Sequence, residues 1–381
     1  MENRMITRIT NGNVLVNGKF IDTDIYFEGK SIIAIGGERE YDNLIDAQGN
    51  YVSPGFIDIH CHGGGGVDFA DGEAKQVKCA ANTHLLHGTT TLFPTIVSAD
   101  FAVLEKAIQA VELAREELPM LAGIHLEGPY FSPNQTGAQN GDTLRKPTCD
   151  EYEHILKNYQ IARWDYAPEM DEDFQFLKAL LSYNVVPGAA HTDATCKEME
   201  EAAKMGCRLV THLYSCTSTI RREAGFRIAG VVEATYLTDE ISAELIADGC
   251  HLPHELLRLA YKLKGPDKLA LVTDAMRAAG MGIEGEFEIG GVPCVVEDNV
   301  AKLLDRSAFA GSIATTDRLV KTGVETGIPL VDILKMITET PARLMGLEKK
   351  GKIEVGYDAD IVVFDKDIDV KTVVLQGERV K

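Results

Sequence analysis

Two histidines separated by one residue, His60 and His62, close the apolar run Pro54-Gly55-Phe56-Ile57-Asp58-Ile59. On a strand, alternate side chains share a face, which puts the two imidazoles about 7 Å apart along the backbone and lets one metal ion be held by both. Cys61 between them points the opposite way. A pair of buried, hydrogen-bonded histidines would have the same spacing, so the pattern has to recur before it means chemistry. It does recur. Later apolar runs close on Glu127 (within His125-Leu126-Glu127-Gly128-Pro129), His191, His212, His251 and Asp274. Neutral imidazoles and carboxylates are the donor set for zinc or a similar divalent ion, with a coordination position left open for water. Such an ion lowers the pKa of bound water from about 15.7 towards about 7, so hydrolysis is the expected reaction. A carboxylate such as Asp274 is then placed to take that proton and return it to a leaving group.

These residues need a scaffold that gathers strand ends, and the sequence between residues 54 and 346 supplies one. Apolar strands alternate there with helical stretches, the mark of an α/β fold. Strands are expected at 56–62, 90–97, 121–127, 164–168, 185–191, 208–212, 243–247 and 269–274. Eight such units in somewhat under 300 residues suit a (β/α)8 TIM barrel, whose active site lies at the C-terminal ends of its strands. Helices are expected at 101–117, free of Gly and Pro, and at 194–205, stopped by Gly206. Residues 1–53 and 347–381 read instead as short strands and turns, with Asn17-Gly18 as a hairpin and Gln376-Gly377-Glu378 as another. The two chain ends are expected to combine into one small β-sandwich domain, because neither holds enough strands alone.

Composition narrows the function further. The 381 residues are 45% hydrophobic, enough for a substantial core. The net charge of -20 argues against nucleic acid or an anionic membrane as partner. No apolar run reaches the length of a signal or membrane span, and the eight cysteines form no C-x-x-C pair, so a cytoplasmic, reduced setting is expected. The glycine run Gly63 to Gly66 lacks the Lys-Ser/Thr of a phosphate loop and is read as backbone passing close to the site. His84 and His87 are read as structural, His125 as a neighbour supporting Glu127, and His154 and His254 as surface residues.

The motifs Pro-Gly-Phe-Ile-Asp-Ile-His-Cys-His-Gly at 54–63, His-Leu-Glu-Gly-Pro-Tyr at 125–130 and Ala-Pro-Glu at 167–169 open a longer series. His-Thr-Asp-Ala at 191–194, Thr-His-Leu-Tyr at 211–214, Ala-Asp-Gly-Cys-His at 247–251, Val-Thr-Asp-Ala at 272–275 and Ala-Gly-Ser at 310–312 complete it. Over essentially its whole length the chain resembles the amidohydrolase superfamily, and within it the branch that deacetylates amino-sugar 6-phosphates. That resemblance implies Glu127, His191 and His212 as ligands of the principal metal, Asp274 as catalytic acid and base, and His60 and His62 as the pair holding a second metal in members that possess it. The divalent metal, one or two per subunit, is expected to be zinc, with iron, manganese and others as alternatives. Branches that bridge two metals with a carboxylated lysine on strand four are disfavoured, since 164–169 contains no lysine. The resemblance also implies that His251 approaches the sugar phosphate and that Arg222 binds it across a homodimer interface, where a guanidinium gives a bidentate match. Tyr214-Ser215-Cys216 stands where many relatives have Tyr-Asn-Ala, and Gln139 where they commonly carry histidine. The expected reaction is hydrolysis of the acetamide of N-acetyl-D-glucosamine 6-phosphate. The galacto epimer or another N-acyl compound is the alternative substrate, and a non-catalytic sugar-phosphate sensor the alternative class.

Overall fold

The computed structural model describes residues 5–381. At its centre eight parallel strands pair in chain order: β1 (Phe56–Cys61), β2 (Thr89–Val97), β3 (Ile124–Glu127), β4 (Ile161–Tyr166), β5 (Val186–Ala189), β6 (Leu209–Val210), β7 (Ser242–Ile246) and β8 (Leu269–Val272). The ring closes just beyond the paired strands, where Asp274 N donates to His60 O at 2.9 Å and Thr273 Oγ1 to Asp58 Oδ2 at 2.5 Å. This is the expected α/β barrel.

Each strand is followed by a helix: α1 (Ala74–Leu85), α2 (Phe101–Arg115), α3 (Cys149–Asn158), α4 (Gln175–Ser182), α5 (Cys196–Met205), α6 (Val231–Leu237), α7 (His254–Lys264) and α8 (Thr316–Glu325), with α9 (Leu330–Ile337) and α10 (Glu339–Leu344) added at the end. Strands covered by helices outside and by one another inside are buried on both faces, which is why every residue of β2 is buried. Helix α5 starts two residues later than expected. Thr195 is extended and caps it, accepting from Glu198 N at 3.3 Å while Glu198 Oε2 accepts from Thr195 N at 2.7 Å.

Strand β4 corrects the expectation of 164–168. It begins at Ile161 and ends at Tyr166, because Arg163 and Asp165 point into the barrel and pair there, with Nε to Oδ1 at 2.9 Å. Two charges interrupting the apolar run hid its start. Trp164 and Tyr166 face outward onto Phe176 of α4, with ring centroids 5.1 and 5.4 Å away.

The two chain ends share a six-stranded sheet in the order Glu378–Arg379, Val370–Leu375, Ile361–Phe364, Tyr51–Pro54, Asn13–Val16 and Lys19–Asp22. A four-stranded sheet, built from Ile6–Thr10, Ile25–Glu28, Ser31–Ile35 and Asn43–Asp46, packs on it through Ile9, Phe27, Val52, Ile361 and Val363. Strand alternation then sends Val362 and Phe364 the other way, into the core shared with Phe56 at the base of β1. Asn17 and Gly18 turn the expected hairpin with φ of 49° and 72°. A three-stranded antiparallel sheet not anticipated from the sequence, Gly285–Ile289, Val292–Glu297 and Val300–Leu303, is inserted between β8 and α8 and packs on Val97 and Met276.

Two buried histidines away from the solvent give the fold a pH response. Burial depresses the imidazoles of His84 and His125 from 6.5 to about 4. The unfolded chain therefore takes up protons that the folded chain refuses between those values, and stability contributed above pH 6.5 is lost as pH falls towards 4. Urea midpoints measured across this range should fall, and His84→Asn should flatten part of that slope.

Candidate active site

The sequence reading puts His191, His212 and Asp274 at the last positions of barrel strands; each lies instead two residues beyond its strand. Their φ values are 44°, 29° and 47°. Residues with side chains occupy this left-handed region at a cost of about 1 kcal/mol or more, and keep it only where neighbours enforce it. The neighbours do so here: Glu169 accepts from Thr192 Oγ1 and Asp193 N, both at 2.5 Å, and Ser312 N donates to Asp274 O at 2.8 Å. Left-handed corners turn these three side chains into the mouth of the barrel. Behind His62, the glycine run does pass close: His62 N and Gly63 N both donate to Ala275 O, and a side chain on Gly63 would meet Val67 O at 2.3 Å.

The donors form two adjoining groups, Glu127 with His191 and His212, and His60 with His62 and Asp274. In the first, Glu127 Oε1 is 3.2 Å from His191 Nε2 and 3.0 Å from His212 Nε2. In the second, His60 Nε2 is 3.2 Å from His62 Nε2 and 3.4 Å from Asp274 Oδ1, and His62 Nε2 is 3.0 Å from the same oxygen. Donors bonded to one tetrahedral ion at about 2.0–2.1 Å stand about 3.3 Å apart, so both groups have the spacing of a divalent-ion cage. Glu127 joins them, since its Oε2 lies 3.4 Å from His62 Nε2. His191 donates Nδ1–H to Gln135 O at 2.8 Å, which turns Nε2 towards Glu127 Oε1.

Electrostatics keep the acids ionised. Burial acts to raise Glu127, but hydrogen bonds from His191 and His212 and the charge of His60 outweigh it and hold the carboxyl well below its ordinary range. Asp274 meets the same opposition of burial against His60 and His62, and is held at about 2. At neutral pH Asp274 is an anion ready to accept a proton.

Above the donors opens a cavity of about 260 Å³ bordered by Tyr214, Ser215, Cys216, His251, Gln139 and Phe309, with His62, Glu127, His191, His212 and Asp274 at its floor. His60 lies beneath the floor, fully buried. His251 comes from a loop and not from the end of β7: Asp248 Oδ1 accepts from Cys250 N and His251 N, bending the chain, and its Oδ2 accepts from His251 Nδ1 at 2.8 Å. Gln139 is tied to the protein at both ends of its amide. Its Oε1 accepts from Ser98 N at 3.0 Å and its Nε2 donates to Glu127 Oε2 at 2.6 Å, leaving one N–H for the cavity. Arg222 does not border the cavity. It sits exposed on a hairpin of Arg221–Glu223 and Phe226–Ile228. His125 contacts Thr95 Oγ1, Asp165 and the edge of His60, and not Glu127 as expected.

Three residues escaped the sequence reading: Glu244 on β7, and Arg163 and Asp165 on β4. All are fully buried inside the barrel directly below the donors. Their signal was a charge in the middle of an apolar strand, a pattern that packing alone does not favour.

The amidohydrolase family model matches residues 51–380, and the chain belongs to that family of hydrolases. It is 33% identical to N-acetylglucosamine-6-phosphate deacetylase of Bacillus subtilis (strain 168), with 98% of this chain and 95% of that protein covered. It is 30% identical to the deacetylase of the same name from Homo sapiens, with the same coverage. Among solved structures, the Pasteurella multocida N-acetylglucosamine-6-phosphate deacetylase superposes with a TM-score of 0.92 at 29% identity, covering 98% of this chain and 99% of that one. A Mycobacterium smegmatis deacetylase variant in complex with N-acetyl-D-glucosamine-6-phosphate superposes with a TM-score of 0.91 at 28% identity, with 99% of each chain covered.

Ion binding to such a cage stabilises the folded chain by about 2.7 kcal/mol when the free ion is at a hundred times its Kd. Zinc added to chelator-stripped protein should raise the thermal midpoint accordingly. Glu127→Ala, which removes the carboxylate shared by both groups, should abolish that rise.

Proposed function

We propose that the chain hydrolyses the acetamide of N-acetyl-D-glucosamine 6-phosphate to D-glucosamine 6-phosphate and acetate. The observation that carries the reading is an ionised Asp274 set against a two-part His and carboxylate cage at the floor of an open cavity, in a chain that matches deacetylases of that name along nearly all its length. Glu127, His191 and His212 hold the principal divalent ion, zinc before iron or manganese, and His60 with His62 hold a second. The ion, when bound, polarises the acetyl carbonyl and acidifies water. As the oxygen of a water molecule bonds to the acetyl carbon, Asp274 would take its proton, and would deliver it to the nitrogen as the C–N bond breaks.

The phosphate is read by His251, by the loop of Tyr214, Ser215 and Cys216, and by Arg222 of the second subunit of a homodimer. An exposed hairpin is a suitable carrier for such a reach. Gln139 can offer the sugar one N–H and the second lone pair of its carbonyl, the first being taken by Ser98 N. An uncharged amide in place of the histidine common among relatives is what keeps a galacto substrate as the second reading, since hydroxyl orientation decides how a sugar meets it. The small β-domain, 1–53 with 347–381, buttresses the base of the barrel and takes no part in the chemistry. A soluble sugar phosphate as substrate fits a cytoplasmic setting, and no helix among the described residues is long and apolar enough to cross a membrane.

Acetate release from the zinc-loaded protein should be seen with N-acetyl-D-glucosamine 6-phosphate and should be weaker with its galacto epimer. No release from any N-acetylated sugar phosphate would overturn the reading. Asp274→Asn should lower kcat by about 10²- to 10⁴-fold at unchanged metal content; loss of metal instead would make Asp274 chiefly a ligand. Arg222→Ala should raise KM for the phosphorylated substrate by about 10-fold or more, the worth of a charge-assisted hydrogen bond, and leave the unphosphorylated sugar unaffected.

A further inference from the structure

Beneath the ion cage the barrel interior is filled by charges where hydrophobic side chains would pack at lower cost. Arg163 donates Nε to Asp165 Oδ1 and Nη2 to Asp165 Oδ2, both at 2.9 Å, and Nη2 also reaches Thr211 Oγ1 at 2.7 Å. Its Nη1 pairs with Glu244 Oε1 and contacts Ile59 O. Asp165 thus locks the guanidinium, and the guanidinium locks one oxygen of Glu244. The other oxygen, Oε2, faces upward. It accepts from His60 Nδ1 at 3.1 Å and from His212 N at 3.3 Å, one residue from each half of the cage. A carboxylate only accepts, so His60 carries a proton on Nδ1 and turns Nε2 towards His62 and Asp274.

We infer that Glu244, clamped by Arg163, is a positioning residue that sets the tautomer of His60 and pins the backbone of His212, so that the cage is assembled before any ion arrives. The inference rests on the divalent-ion reading above for its consequence, though not for its geometry. Glu244 touches no cavity atom and acts through His60. Fixing a ligand's tautomer and orientation from behind is commonly worth 10- to 100-fold in metal affinity, about the magnitude expected here.

Glu244→Gln tests this with almost no change of shape. With its carbonyl still held by Arg163, the amide turns NH₂ towards His60 Nδ1 and His212 N–H, so His60 must shift its proton to Nε2, the atom that should ligate. Nitrogen-15 NMR of metal-free protein should show His60 protonated at Nδ1 in the native chain and at Nε2 in the variant. Competition for zinc against a chromophoric chelator should show affinity about 10- to 100-fold weaker. In a His60→Asn background most of that loss should disappear. Native His60 protonated at Nε2 and not at Nδ1, or a Glu244→Gln loss that persists in full without His60, would overturn the inference. The native tautomer decides the matter even if the variant fails to fold, and it does so independently of ion binding; a chain that binds no zinc while His60 is protonated at Nδ1 would count against the ion reading alone.

Discussion

The Glu127 carboxylate is the point on which the site turns. It is a buried anion at the mouth of a barrel, where an uncompensated charge would cost several kcal/mol. Its Oε1 lies within 3.2 Å of His191 and His212, and its Oε2 meets Gln139 at 2.6 Å and faces His62 at 3.4 Å. Each of those partners comes from a different segment, so holding this one charge requires β1, β3, β5, β6 and the loop after β3 to end at the same level. The barrel meets that requirement through parallel pairing in unbroken chain order, which places all C-terminal strand ends on one rim.

Charge compensation continues downward in layers. Below Glu127 and its imidazoles lie Glu244, Arg163, Asp165 and His125, each buried and each contacting the next. A core of this kind contributes less to stability than an apolar one of equal volume, but it allows far fewer arrangements, because a displaced member leaves a charge unpaired. Rigidity in this lower layer is what lets the upper donors face each other at ion-cage spacing. The left-handed corners at His191, His212 and Asp274 complete the arrangement from above, braced by Glu169 and Ser312.

Much of this was legible in the residues themselves. Apolar runs closing on His60, His62, Glu127, His191, His212 and Asp274 pointed to one barrel rim, and the chain ends read as β-strands because Asn17-Gly18 and alternating apolar residues leave few alternatives. Strand β4 was misplaced because Arg163 and Asp165 look like surface residues until each is known to neutralise the other. The sheet of 285–303 went unread, since short strands around Gly290-Gly291 and Asp298-Asn299 resemble a polar loop. His251 and Gln139 were legible as polar residues near the site, but not in orientation.

Sequence alone determined which chemical groups are available and roughly where along the chain each strand must end, because hydrophobic periodicity and turn residues are local properties. Tertiary structure decided what those groups do to one another. Whether Gln139 meets a sugar or Glu127, and whether Glu244 is a surface acid or the anchor of His60, depends on distances of 3 Å between residues separated by up to 184 positions. Hydrogen bonds and charge pairing act through space over such short ranges, so only the folded barrel, which fixes those separations, could settle them.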